Sequence, residues 1–155
     1  MNKLTAALSG LALAASLAAP ALAQDLSAAV KARQAQMELY AFNLSLLGGM
    51  AKGAVPYDAE AASKAAGNLA ALTKLDQSRL WPQGSDNGAL GDTTAALPAI
   101  WAADSTAMAK GMDLAAAADA MNAAAGAGLD QLQGAMGALG GACGSCHKAY
   151  RQPSN

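Results

Sequence analysis

The chain has 155 residues, with 10 basic and 11 acidic residues and a formal net charge of −1. This balance lacks the basic excess of nucleic-acid-binding proteins, and no basic patch interleaved with aromatic residues indicates a nucleic-acid interface. Only 4% of the residues are aromatic, whereas alanine and leucine, which favour helices, are abundant. The composition therefore excludes a mainly β protein and predicts an all-α one.

The N-terminal segment has the pattern of a secretory signal peptide. Residues 1–3 are short and positively charged, residues 4–18 form an apolar run, and Ala21-Leu22-Ala23 supplies the small residues of a cleavage site. The alternative is a retained membrane anchor, but the run is short for the roughly 20 residues of a membrane span. We expect removal of residues 1–23 and a periplasmic protein.

The remaining segment, residues 24–155, has a length typical of one domain. Because Lys3 is the one charged residue in segment 1–23, the domain keeps 9 basic and 11 acidic residues, a formal charge of −2. No later stretch is long and apolar enough to span a membrane. We therefore expect a single domain without a membrane span.

Two helices are predicted in the first half of this domain. The first runs from about Leu26 to Gly49, and Gly53 and Pro56 mark the turn after it. The second runs from about Asp58 to Lys74, with Asp58 as the N-cap. The helical period of the first helix places one apolar stripe along it: Leu26, Val30, Met37, Ala41 and Leu44.

A long connection, residues 77–96, precedes two further helices. It is rich in turn-forming residues, and we expect its Trp81 to fold back onto the core. The third helix is predicted from about Pro98 to Ala125, with Met108 and Met112 as core filler, and the fourth from about Leu129 to Tyr150. Short connections after the first and third helices make those pairs antiparallel neighbours. The prediction is an antiparallel four-helix bundle.

The last helix carries the motif Cys143-Gly-Ser-Cys146-His147, which holds both cysteines and the single histidine of the chain. On a helix, Cys143 and His147 are one turn apart, with Cys146 beside them. Two thiols can form thioethers with haem vinyl groups while the imidazole binds the iron, so C-x-x-C-H indicates attachment of c-type haem.

Three other interpretations of this motif compete with haem. A thioredoxin-like redox pair expects a neighbouring βαβ unit, and no strands are predicted. A disulfide across two intervening residues would stabilise little, and structural zinc needs four ligands where the chain offers two cysteines and one histidine. Haem is the preferred interpretation.

The chain resembles the class II cytochromes c, that is, the cytochrome c′ group and its low-spin relatives. The resemblance rests on the terminal segment 143–151, on Arg33-Gln34-x-x-Met37, on segment 50–58, and on segment 97–101. It implies a four-helix bundle with one haem c attached by two thioether bonds. Arg33 and Gln34 would lie near the haem edge, with Arg33 beside a propionate, and a solvated helix face is the alternative for Arg33.

In that resemblance, Met37 occupies the position that separates two kinds of member. In low-spin members a methionine here binds iron as the sixth ligand, whereas in high-spin members an apolar residue covers a five-coordinate iron that binds NO or CO. We prefer electron transfer with His147 and Met37 as ligands, and keep gas binding as the alternative. The resemblance also implies redox partner proteins and allows a homodimer through the first two helices.

Enzymatic activity is not expected from this sequence. The chain has no second histidine, and no paired carboxylates lie near the haem motif. A peroxidase would need a polar acid-base group opposite the proximal ligand, and none is evident.

Overall fold

The computed structural model describes residues 26–153. The expected signal peptide, residues 1–23, lies outside the described residues. Five α-helices are present in the described part: α1 (Leu26–Ala51), α2 (Ala59–Thr73), α3 (Asn87–Leu90), α4 (Ala107–Ala124) and α5 (Leu129–Tyr150). Within residues 26–153, no helix combines the length and apolarity that a bilayer crossing requires.

The four long helices form the predicted antiparallel bundle. Helix α1 packs against α2 and α5, and α4 packs against the same two helices. Gln133, in the first turns of α5, donates a hydrogen bond to the Ala51 carbonyl at the end of α1, 2.8 Å away. The end of α1 therefore lies beside the start of α5, so these two helices are antiparallel.

The core is built largely from alanine, with a few large side chains that are at most 2% exposed. The alanines let the helix axes approach closely, and each large side chain contributes about 1.5–3 kcal/mol through its burial. The large buried side chains come from three helices: Leu47, Met50, Met121, Leu132 and Leu139.

The predicted apolar stripe of α1 is partly wrong. Val30 is buried, but Met37 is 37% exposed and Ala41 is also exposed. The buried face instead includes Arg33 and two amide side chains, Gln36 and Asn43. Hydrogen bonds offset most of the cost of burying these polar groups, although Gln36 Oε1 has no partner among the described residues. For example, Gln36 donates to the Leu72 carbonyl on α2.

The boundaries predicted for α2 and α5 are confirmed. Asp58 caps α2, since its side chain accepts a hydrogen bond of 2.7 Å from the Ala61 amide. Helix α5 follows Gly128, whose φ of 143° suits glycine. Helix α5 runs for 22 residues and includes the whole haem motif.

The start predicted for the third helix is wrong. Pro98–Trp101 forms a separate 3-10 turn, and α4 begins at Ala107. Between them Ala102 is extended, and the Thr106 amide donates to the Tyr150 hydroxyl, 2.8 Å away on α5. Within this segment the Ser105 hydroxyl accepts a hydrogen bond from the Ala107 amide, a local side chain-to-backbone bond of the kind that competes with a continuous helix.

The interpretation of Met108 and Met112 as core filler is also wrong, because they are 82% and 63% exposed. Met121 does fill the core, with no exposed area. Met136 is half-buried against the core.

Candidate haem site

The motif residues share one end of α5. Cys143 and Cys146 are half-buried, and no disulfide joins them. His147 is exposed, one helical turn after Cys143. The helix ends directly afterwards, with the Arg151 amide donating to the His147 carbonyl. One turn of helix therefore presents two free thiols and an accessible imidazole.

Desolvation shifts the pKa of each of these three groups in the direction that favours the neutral group. It raises the pKa of the Cys143 thiol and of the Cys146 thiol, where the nearby charge of Lys110 opposes the shift. Partial desolvation lowers the pKa of the otherwise exposed His147, and the charge of Arg151 lowers it further. A neutral imidazole is the form that binds a metal ion.

A small cavity lies beside Cys143, inside the bundle. Burial raises the pKa of Tyr40, and the neighbouring Cys143 raises it further. The cavity is mainly apolar, but its volume of about 10 Å³ is far too small for a porphyrin ring. It is lined by residues of all four long helices: Tyr40, Leu44, Leu69, Thr73, Leu114, Ala118, Leu139 and Cys143.

Arg33 and Gln34, predicted to lie near the haem edge, both bind the long loop. The Arg33 side chain is 3% exposed and donates to the loop residues Ser85 and Thr94. The Gln34 amide donates to the Thr93 carbonyl, 3.0 Å away. The solvated alternative for Arg33 is wrong, whereas its contact with a propionate stays a prediction.

Antiparallel packing brings the two candidate iron ligands to the same level of the bundle. On α1, Tyr40 lies beside Cys143 of α5, and Arg33 contacts the loop that pairs with Arg151. Met37 lies between Tyr40 and Arg33 on α1, as His147 lies between Cys143 and Arg151 on α5. Helix register therefore aligns Met37 with His147.

Comparison with known proteins decides the family. The family model described as Cytochrome C′ matches residues 28–151. The chain belongs to the cytochrome c′ family. Cytochrome c-554 of Cereibacter sphaeroides is 49% identical over 139 residues, which cover 88% of this chain and 90% of the relative.

Solved cytochrome c′ structures share the fold. Cytochrome c′ from Rhodobacter Spheriodes superposes with a TM-score of 0.80 at 41% identity, covering 84% of this chain and 99% of that one. A nitric oxide complex of a cytochrome c prime variant from Alcaligenes xylosoxidans has a TM-score of 0.72 at 30% identity, covering 83% and 97%.

Membership in the cytochrome c′ family means that the protein binds one covalent haem c. The donor set fits this group, because the structure offers two free thiols and one imidazole on a single turn. No group of three or more His, Cys, Asp or Glu side chains that could hold a bare metal ion occurs within residues 26–153. When bound, the haem supplies an iron centre that can accept and release one electron.

Sequence analysis missed the residues that organise the surroundings of the motif. Tyr40 was not identified as a neighbour of Cys143, although it follows Met37 by three residues and so lies near it on the helix surface. Ser85 and Thr94 were treated only as loop residues. No local signal identifies them as partners of an arginine about 50 to 60 residues earlier.

Proposed function

We propose that this protein is a periplasmic electron carrier whose single haem has His147 and Met37 as axial ligands. Haem c is held through two thioether bonds, and the chain contains two cysteines. This assigns attachment to Cys143 and Cys146, and the single histidine, His147, to the proximal side. The role is electron transfer rather than catalysis.

The alignment of Met37 with His147 carries the assignment of the sixth ligand. Met37 is 37% exposed and His147 is exposed, so neither side chain is committed to the closed core of the bundle. Met108 and Met112 are exposed too, and the Thr106–Tyr150 hydrogen bond places the first turn of α4 beside the end of α5 as well. Met37 is favoured over them because it also occupies the position at which low-spin members of the family carry a ligating methionine.

Two axial protein ligands suit electron transfer. A six-coordinate iron with imidazole and thioether ligands needs little rearrangement when it gains an electron, and the thioether raises the reduction potential. The 49% identity to a cytochrome c-554, higher than the 41% to a cytochrome c′ of known structure, is compatible with a distinct subgroup.

Binding of NO or CO at an open iron is the second candidate. It is favoured by the nitric oxide complex solved for a related cytochrome c prime variant. In this case Met37 would cover the iron without binding it, and a diatomic gas would take the sixth position. The two candidates differ in one bond, that between the Met37 sulfur and iron.

Redox partners are proposed to dock at the attachment end of the bundle. Lys110 lies near enough to Cys146 to oppose the rise in its pKa, Arg151 acts on His147, and Lys148 follows His147 directly. This end is locally basic in an acidic protein, which would attract an acidic partner. Electron transfer to such a partner should slow as ionic strength rises.

A homodimer is proposed through α1 and α2. Phe42, the single phenylalanine of the chain, is 74% exposed, and Leu39 and Leu75 are 49% and 54% exposed. These side chains border a groove that also includes Ala71 and Leu72. The Phe42 ring and the groove lie on the same surface. A two-fold axis would therefore place the Phe42 of each copy in the groove of the other.

The proposed ligation is tested by spectra of the ferric protein and its variants. The unsubstituted protein should be low-spin, with the weak near-red band of an iron–thioether bond, and Met37→Ala should convert it to high-spin. Met108→Ala, which removes an exposed methionine from α4, is the control and should leave the spectrum unchanged. A high-spin unsubstituted protein, or no change in Met37→Ala, contradicts the proposal.

A further inference from the structure

Arg33 is a buried cation whose hydrogen-bond partners are neutral. Its side chain is 3% exposed. It forms neither of the ion pairs found within residues 26–153, which join Lys64 to Glu60 and Lys74 to Asp119. Burial lowers the pKa of Arg33, while the charge of Asp86 opposes the shift. Burying a charge is costly unless hydrogen bonds replace its hydration, and neutral groups of the long loop supply such bonds to Arg33.

The guanidinium group of Arg33 binds four acceptors of the long loop. Nη1 donates to Ser85 Oγ at 2.6 Å and to the Leu80 carbonyl at 3.4 Å. Nη2 donates to Thr94 Oγ1 at 2.7 Å and to the Ser85 carbonyl. The group also lies over Trp81, 4.7 Å from the ring centroid. One side chain of α1 therefore holds both ends of segment 80–94.

The same loop is joined to the end of α5. The Leu97 amide donates to the Tyr150 carbonyl at 2.9 Å, and the Gln152 amide donates to the Ala95 carbonyl at 2.8 Å. Ala96 and Arg151 form an antiparallel bridge between these bonds. The loop is thus bonded to α1 on one side and, on the other, to the backbone that begins three residues after His147.

These bonds make the loop a link between the two helices that carry the candidate iron ligands. Met37 is one turn after Arg33 on α1, and Arg151 is one turn after His147. A side chain such as Arg33, with its planar fork of donors, fixes its partners in direction as well as distance.

We infer that Arg33 is a positioning residue, which acts through segment 80–97 to fix α1 relative to the end of α5. By fixing this separation, it favours the conformation in which Met37 and His147 both bind iron. The effect on the iron ligands rests on the ligation proposed above. The fixing of α1 relative to the end of α5 is independent of that ligation, and it differs from a role for Arg33 as the partner of a haem propionate.

The test compares variants at both ends of the link in the holoprotein. Arg33→Lys keeps the charge but loses the fork, and Thr94→Val removes, with little change in volume, an acceptor that Arg33 shares with the Ala96 amide. Arg79→Lys is the control, because Arg79 is exposed and directly precedes the same segment. Thr94→Val provides a mild alternative if changes at Arg33 prevent folding.

Two readouts are measured for each variant. Hydrogen exchange at the Leu97 and Gln152 amides should accelerate about tenfold in Arg33→Lys and in Thr94→Val, as expected for losing a hydrogen bond to a charged group. The ratio of high-spin to low-spin ferric protein should also rise about tenfold in both. Arg79→Lys should match the unsubstituted protein in both readouts.

The remaining outcomes overturn different parts of the proposal. Unchanged exchange in Arg33→Lys and Thr94→Val overturns the link itself. Faster exchange with an unchanged spin-state ratio overturns the positioning of the iron ligands, as does a spectral change in Arg33→Lys that Thr94→Val does not share. A high-spin unsubstituted protein contradicts the proposed function instead, and is recognised before any variant is made.

Discussion

Helix α5 and helix α1 hold their candidate iron ligands in different ways. In α5, both thiols and the imidazole lie within five consecutive residues, so helical geometry alone brings them together. In α1, Met37 is placed by contacts with distant parts of the chain, through Arg33 to the long loop and through Tyr40 to the cavity beside Cys143. Attachment is thus a local property, whereas the sixth ligand depends on tertiary structure.

This difference predicts different responses to substitution. Changes within the motif should abolish attachment completely, because no other residue can supply the chemistry. Changes around α1 should instead shift an equilibrium between two coordination states, by an amount that depends on how firmly the substituted side chain held α1 in place.

The largest effect is expected for Cys143→Ala/Cys146→Ala. This variant has no thiol left to form a thioether bond, so mass spectrometry of the purified protein should show the polypeptide mass without haem. Ser145→Ala is the matched control, because the Ser145 hydroxyl lies between the cysteines and donates only to the nearby Ala142 carbonyl. Covalent haem in the double variant would refute the assigned attachment.

A large loss of stability is expected for Leu139→Ala on α5. Leu139 is 2% exposed and lines the cavity beside Cys143, so its truncation should lower the free energy of unfolding by about 2–5 kcal/mol. Chemical denaturation of the holoprotein measures this. Leu139→Met, which conserves volume, should cost less than about 1.5 kcal/mol. Equal losses in the two variants would show that packing at this position does not determine stability.

A smaller effect, on association rather than folding, is expected for Phe42→Glu on α1. A charge in place of a 74% exposed phenyl ring should weaken the proposed dimer at least about tenfold, or about 1.4 kcal/mol. Sedimentation over a range of concentrations measures the dissociation constant. Met108→Glu, at an exposed position of α4, should leave it unchanged. A purely monomeric unsubstituted protein would contradict the dimer.

The smallest effect is a gain in stability from Gly134→Ala on α5. An added Cβ at Gly134 would contact nothing within 4 Å, and alanine favours the helix, so the free energy of unfolding should rise by about 0.4–1 kcal/mol. Gly128→Ala should have the opposite sign, because Gly128 has φ 143° and an added Cβ would lie 2.5 Å from Gln131 Oε1. Thermal denaturation distinguishes the two.

The parts of the fold that local sequence determines were predicted well. The Asp58 cap and the bounds of the fourth helix at Leu129 and Tyr150 were predicted from local signals, and the structure confirms both. The 3-10 turn at Pro98–Trp101 was missed because the start of α4 depends on a hydrogen bond from Thr106 to Tyr150, 44 residues away.

The buried face of α1 shows the limit of sequence reasoning most clearly. Hydrophobic periodicity cannot predict a stripe that contains Arg33, Gln36 and Asn43, because each of them has a hydrogen-bond partner in a distant part of the chain. Ser85 and Thr94 lie 52 and 61 residues after Arg33. Hydrophobic periodicity also predicted that Met108 and Met112 lie in the core. In the structure α4 is separate from the preceding turn, and both side chains are exposed.

Titration of the reduced protein with carbon monoxide tests the central claim most directly. If Met37 binds the iron, CO must displace a protein ligand, so the unsubstituted protein should resist CO at concentrations that saturate Met37→Ala. An open iron would instead bind CO equally readily in both proteins. That second result would contradict ligation by Met37 and leave gas binding as the function of this haem.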